Sequence, residues 1–380
     1  MGGQTMGELL VRRAVRRSLA QVRHVTAVPP GSAAPAVERV YAQVERDFGF
    51  LAPPVALHSP APVPLAACWT MLRETLLAAG QADRAVKEAV AASVSVANAC
   101  PYCVDVHSGA LHGLVQGGDA LSIAADRTDA VSDPVLRKAA EWARTSADRQ
   151  AAQRWATPFP AAQLPELVGV AVTFHYLNRM VNIFLRDTPL PFAVPAAARA
   201  ATRRVLGLMM RSTTGRPVRP GGSLELLPAA RLPDDLGWAS ASPTISAGFA
   251  QAAAAIDAAG RAVVVPAVRD LVSSRLAGWD GRAAGLSRAW ADRAVAGLPE
   301  AQRPAGRLAL LTAIASYQVD PGLVAELRRH QPGDEALVAL TSWASLAAAR
   351  QVGGWLWAGL RGAARSAEPA SGDERGARVD

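Results

Sequence analysis

Lysine is almost missing from this chain: Lys87 and Lys138 are the only two, and the other basic residues are arginine. Cysteine is nearly as scarce. Cys68, Cys100 and Cys103 make an odd count of three with one close pair, which excludes an extracellular disulfide framework and suits a redox pair in a reducing compartment. Aromatic residues are only 5% of the chain while half of it is hydrophobic, a balance expected of closely packed, alanine-rich helices. No run of about eighteen apolar residues is present, so no membrane-spanning helix is expected. The best candidate, near 167–185, is interrupted by His175, Asn178 and Arg179. The arginines near the N-terminus are followed by no uninterrupted apolar stretch, so a signal peptide is not expected and the protein reads as cytoplasmic. A net charge of +8 would suit nucleic acid. The arginines are scattered, however, and lack the interleaved aromatics on which bases stack, so no nucleic-acid partner is expected.

Proline, glycine and helical periodicity organise what is there. At 380 residues the chain has room for two domains. Residues 1–34 form a basic N-terminal segment in which Leu10, Val11, Ala14, Val15 and Leu19 recur at helical spacing. Helical patterns follow from Pro35 to about Phe50, from Leu65 to Ala79, and from Asp83 onward, where Val86, Val90 and Val94 form a buried stripe. Further helices are expected over Asp119–Ala125, over Asp133–Ala147 with Asp133-Pro134 as cap and first position, and over Pro165–Arg186. Residues 211–243, rich in Gly, Pro, Ser and Arg, read as a linker. Beyond them the plan repeats. Arg307–Leu327 echoes the helix, break and helix around Cys100-Pro101, and Ala336–Arg350 echoes Leu167–Arg179, which suggests an internal duplication. The second copy has no cysteine near Asp320-Pro321, no matching histidine, and Arg307 opposite Glu88, so it lacks the chemistry of the first. The expected organisation is therefore a catalytic helical domain over 35–210, a linker over 211–243, a degenerate helical repeat over 244–362 and a disordered tail over 363–380.

Chemistry concentrates in Cys100-Pro-Tyr-Cys103 and His107, with Glu88 upstream. Pro101 suits the first position of a helix, where its missing amide is no loss. Both sulfurs then lie in a first turn whose free amides and dipole favour a thiolate. Cys103 and His107 stand at i and i+4, so the imidazole can reach that sulfur. One straight helix from Glu88 to Cys103 would part them by roughly 22 Å at ~1.5 Å per residue. Only a fold-back at Asn98–Pro101 brings Glu88 level with His107. Other assignments stay open on the residues alone. Glu88 could be a surface charge paired with Arg84. Cys100, Cys103 and His107 could hold zinc with Glu88 or Asp105, although three ligands from one helix face close a tetrahedron poorly. The cysteines could also be inert core residues, as expected for Cys68. His112 is expected to be structural or exposed. His175, Asn178, Arg179, Asn182 and Arg186 form a polar stripe that reads either as a solvated or subunit-contact face or as the lining of a cavity above the cysteines.

Glu88, Cys100-Pro-Tyr-Cys103 and His107 at these spacings, with Asp83–Glu88 before them and Val172–Arg179 after, resemble the AhpD-like alkylhydroperoxidases of the carboxymuconolactone decarboxylase family over roughly residues 60–190. Tyr102 departs from the pattern, since some members carry histidine between the cysteines. The resemblance implies an all-α, AhpD-like helical bundle and a thiol-dependent hydroperoxide reductase working without haem, flavin or metal. It implies Cys103 as peroxidatic cysteine, Cys100 as resolving cysteine, and Glu88 with His107 as proton relay. The position of Cys100 nearer the helix end argues for a lower thiol pKa there, so the residues alone leave those two roles open. His175, Asn178 and Arg179 become candidate substrate-binding residues. A thiol partner, protein or small molecule, must return the disulfide to the dithiol, and a homo-oligomer is expected. The alternative is a non-peroxidase use of the same fold: disulfide exchange, a decarboxylase-like enzyme or a binding module.

Overall fold

The computed structural model describes residues 19–154, 158–189 and 216–367, together with positions 201, 203, 204 and 207. The basic helix expected around Leu10–Leu19 lies almost wholly outside the described residues, as do residues 368–380 of the expected tail. Among the described residues the chain is all-helical, as expected. The only β feature among these residues is an isolated bridge between Ala78 and Val218, and none of their helices is long and apolar enough to cross a membrane.

Proline starts most of the long helices, because its fixed φ suits the first turn and its missing donor costs nothing there. In the first half these are α1 (Pro35–Phe48), α2 (Pro62–Leu72), α3 (Arg84–Ala97), α4 (Pro101–Leu114), α5 (Pro134–Thr145) and α6 (Leu164–Phe184). Asp83 caps α3 by accepting from the Ala85 amide at 2.8 Å, and Asp133 caps α5 by accepting from the Val135 amide at 2.7 Å. The second half contributes α7 (Pro243–Val263), α8 (Pro266–Ala277), α9 (Arg303–Ala315), α10 (Pro321–Arg328) and α11 (Asp334–Ala367). The last of these carries five residues of the expected tail, 363–367, into a helix.

The helix ladder of each half is closed by its own neighbours: α3 packs on α4, α5 and α6, while α9 packs on α8, α10 and α11. Between the halves, α6 lies along α11 and α2 along α7. Buried apolar side chains of both halves join one cluster, including Trp69, Phe174, Phe249 and Leu346. α2 is apolar on every side, the pattern of a helix buried all round, and it continues into a wider π turn over Arg73–Leu77.

Of the stretch expected as linker, 211–215 lie outside the described residues, and within 216–243 exposed positions alternate with anchored ones, Val218, Ser223, Leu227, Leu236, Trp238 and Ala239 being buried. The buried Glu74 carboxylate accepts from the Gly221 amide at 2.6 Å and from the Ser223 amide and hydroxyl at 3.2 and 2.6 Å. A Gly/Ser-rich composition signals a turn but not the buried anion that such a turn can wrap. Lys87 is buried as well, donating to Glu166 at 2.5 Å and to the Ala78 carbonyl at 2.9 Å. This pair ties the start of α3 to the start of α6, which sets the height of Glu88.

Candidate active site

α3 ends in a turn that reverses the chain. The Asn98 amide donates to the Val94 carbonyl at 3.0 Å and the Cys100 amide to the Ser95 carbonyl at 2.9 Å, with Ala99 left-handed at φ 48°. This is the closure that usually takes glycine, and alanine bears about 1 kcal/mol of strain in it. Pro101 then starts α4 with Cys100 as its N-cap residue, and the thiol makes no capping bond. The fold-back brings two distant positions together: His107 Nδ1 lies 2.7 Å from Glu88 Oε2.

Glu88 is 1% exposed, and its other oxygen accepts from Arg84 Nη2 at 2.6 Å and Nε at 2.9 Å. The pairing with Arg84 along the helix and the pairing with His107 across the turn thus coexist. Burial pushes the Glu88 carboxyl up, but the Arg84 guanidinium, the imidazole and their hydrogen bonds outweigh it and hold the group below its ordinary value. A carboxylate that only accepts fixes the imidazole tautomer: Nδ1 carries the proton and donates, and the Nε2 lone pair is left over. Phe174 packs edge-on against the ring at 4.5 Å between centroids.

His107 and Cys103 line an apolar cleft of about 460 Å³ walled by Phe48, Phe50, Tyr102 and Phe174. Cys103 is 3% exposed, whereas Cys100 is fully buried and does not line the cleft. Both thiols are free. Burial pushes the Cys103 thiol well above its ordinary value; the hydrogen bond and charge of Cys100 add to this, and a hydrogen bond from Asn178 opposes it. The stabilisation expected from the helix end is therefore outweighed, because a dipole contribution of roughly 0.3–1 kcal/mol is smaller than the cost of a buried anion. Cys68 lies fully buried in α2 with its thiol pushed up by burial. Asp105 pairs with Arg203 at 2.7 Å, and among the described residues no three of His, Cys, Asp or Glu are grouped as metal ligands.

Residues 64–145, which span α2 to α5 and hence the whole Glu–Cys–Cys–His group, match the family model described as carboxymuconolactone decarboxylase family. A protein of Mycobacterium tuberculosis named alkyl hydroperoxide reductase Rv2159c is 37% identical over 341 residues, covering 90% of this chain and 96% of that protein. The chain belongs to the carboxymuconolactone decarboxylase family. In this family member the first three positions of the stripe are not solvated: His175 and Asn178 are fully buried and Arg179 is 6% exposed, whereas Asn182 is half-buried and Arg186, past the end of α6, is exposed. Asn178 donates to Ser95 Oγ at 3.0 Å and also reaches Cys103, so it lies behind the thiol. His175 Nδ1 accepts from Asn98 Nδ2 at 3.1 Å, and its Nε2 lies 2.9 Å from Ser146 Oγ. Burial and Arg179 push its pKa well below the ordinary value, which keeps the ring neutral. Arg179 turns the other way, donating through Nε to the Ala313 carbonyl of α9 at 2.8 Å.

The structure therefore brings Glu88, His107, Cys103, Cys100 and Asn178 together, and places His175 and Arg179 on the far side of the Asn98 turn. His112, two positions before the end of α4, is half-buried and does not line the cleft. Sequence reasoning did not single out Phe174, Tyr102 or Asn98 as parts of the site. Arg84 was visible at i−4 from Glu88 but only as a surface partner.

Proposed function

We propose that this chain is a thiol-dependent hydroperoxide reductase that cycles through a Cys100–Cys103 disulfide. One observation carries the reading: Cys103 lines the apolar cleft beside an imidazole whose tautomer is held by Glu88, while the second thiol waits behind it, out of the cleft. The name of the mycobacterial relative supports peroxide as the substrate class.

His107 Nε2 takes the Cys103 proton as the sulfur attacks the distal oxygen of the hydroperoxide. The O–O bond breaks, and the departing alkoxide receives that proton from the imidazolium, leaving an alcohol and a Cys103 sulfenic acid. The Cys100 thiol then attacks the Cys103 sulfur, forming the disulfide and releasing water. Because the resting Cys103 thiol is held protonated by burial, base assistance matters more here than a preformed thiolate. Glu88 orients the ring and stabilises its charged form; Asn178 positions the sulfur. A dithiol partner, protein or low-molecular-weight, reduces the disulfide by exchange, which suits a cytoplasmic setting.

The second half fits a degenerate copy that keeps the packing. In it α9 and α10 follow one another as α3 and α4 do, α11 takes the place of the closing helix α6 without a counterpart of α5 before it, and the pairs α6–α11 and α2–α7 close the two halves on each other. Such a chain would supply its own partner half; the expected homo-oligomer is an addition to that.

The test starts with reduced wild type, freed of reductant and given one equivalent of cumene hydroperoxide. Stoichiometric peroxide loss, a mass lower by two hydrogens and a linked Cys100–Cys103 peptide are expected. Cys103→Ser should abolish turnover, and Cys100→Ser should leave a sulfenic acid that a dimedone probe traps. Thiols that stay reduced while peroxide persists would sink the reading, and reversed variant phenotypes would exchange the two cysteine roles.

A further inference from the structure

Behind the reversing turn, on the opposite side from the Cys103 cleft, lies a second cavity with about 670 Å³ of empty space. Ala97, Asn98 and Ala99 form one wall and Arg179 its floor. Trp279, Gly281, Ala283, Ile314, Ser316 and Tyr317 of the second half, with Ala147 of the first, form the rest. Gly281 is left-handed at φ 92°, and a Cβ there would come 1.8 Å from the Ala147 carbonyl oxygen, so the loop can close this wall only with glycine.

Arg179 is more than nine-tenths buried, yet no carboxylate among the described residues pairs with it. Burial alone pulls its pKa down, to about 10, so it stays charged at neutral pH. Its Nε is taken by the Ala313 carbonyl at 2.8 Å and its Nη1 by the His175 carbonyl at 2.5 Å and more distantly by His175 Nδ1 at 3.5 Å. Nη2 makes no hydrogen bond to the protein among the described residues. The Trp279 ring lies beneath the guanidinium at 5.7 Å. Ser316 Oγ accepts from Asn182 Nδ2 at 3.2 Å and keeps its own proton uncommitted. A buried guanidinium without a counter-ion is costly unless something anionic completes it.

We propose that this cavity binds a small organic monocarboxylate with an apolar body. Arg179 Nη2 and the Ser316 hydroxyl hold the carboxylate, and Trp279, Ile314 and Ala283 cover the body. Arg179 is the one charged side chain among the lining residues and matches a single negative charge; a phosphate dianion would arrive with more charge than the walls neutralise. The site is separate from the cysteine cleft and does not depend on the peroxidase reading.

Sodium benzoate is the probe, with benzyl alcohol as its uncharged counterpart and inorganic phosphate as the general anion, all at constant ionic strength. Calorimetric titration of the full chain should show saturable benzoate binding, a benzoate-dependent rise in Tm, and neither effect with benzyl alcohol or phosphate. Arg179→Gln should weaken benzoate by about tenfold to a hundredfold, the worth of a charge-assisted bond. If that variant does not fold, Ala283→Leu decides: it keeps the arginine, fills the exposed edge of the chamber, and should abolish binding with the unliganded Tm unchanged. No benzoate binding by the wild type, equal binding of benzyl alcohol or phosphate, or undiminished binding in Ala283→Leu, which would place the probe in the cysteine cleft, each overturns the proposal.

Discussion

Replacing Glu88 by glutamine changes little in shape and, on the present reading, nearly everything in proton placement. The carboxylate accepts three hydrogen bonds, from Arg84 Nε at 2.9 Å, Arg84 Nη2 at 2.6 Å and His107 Nδ1 at 2.7 Å. Glutamine offers one acceptor oxygen. Arg84 can only donate, so the amide oxygen turns to it and the amide N–H faces His107 Nδ1. The imidazole must then accept at Nδ1 and carry its proton on Nε2, where it can no longer take one from Cys103. Loss of a general base is worth about a hundredfold in rate, and a wrong histidine tautomer in a comparable triad costs up to ~10⁴. Stability should fall less, by about 1–3 kcal/mol for the charge-assisted bond lost, because the Arg84 side chain keeps 17% exposure and some hydration. Stopped-flow peroxide consumption would measure the rate, and nitrogen-15 imidazole shifts would report the tautomer. A glutamine variant whose ring proton has moved to Nε2 and whose rate is unchanged would refute the relay.

Alkylation of Cys103 by iodoacetamide should climb about tenfold per pH unit through neutral pH and past the free-thiol value of ~8.5 without levelling, since burial raises this thiol; a plateau below that value would contradict the burial argument. Ala99→Gly should stabilise the chain by about 1 kcal/mol in denaturant melts by relieving the left-handed alanine, and a loss of stability would mean the turn is not strained. His58 is fully buried, 2.8 Å from the Tyr176 hydroxyl, and burial pulls it down to about 4. The unfolded chain takes up that proton first, so about 3 kcal/mol of stability present above pH ~6.5 should be lost as pH falls to about 4. His58→Gln should flatten that part of the profile. Gly359→Ala should cost about 1–3 kcal/mol despite the better helix former, because the new Cβ would meet the Ala152 carbonyl oxygen at 2.5 Å; a neutral melt would show that α11 does not press on the 149–154 helix.

Much of the architecture was legible before any coordinates. Prolines at 35, 101, 134 and 321 mark expected helix starts because a proline ring dictates its own φ, a property of one residue; the start at Pro62 went unread, since the helix there was expected only from Leu65, and those at Pro243 and Pro266 were not singled out. The catalytic group was legible for a related reason: Cys103 and His107 are neighbours along one helix, and Pro101 marks where the previous helix has to stop. What only the tertiary structure decided concerns contacts between elements. The polar stripe on α6 has the same spacing whether water or protein covers it, and α9, α11 and the 279–283 loop decided for protein. The Cys103 thiol is raised rather than lowered because distant aromatic residues remove its water, a quantity no local pattern encodes. The Gly221–Ser223 turn is anchored because Glu74, far away in sequence, accepts from its amides and hydroxyl. That no carboxylate among the described residues stands beside Arg179 likewise becomes visible only once those residues have positions. Backbone preference is local and is written in the sequence residue by residue, whereas desolvation and charge pairing are sums over neighbours that exist only after the chain has folded.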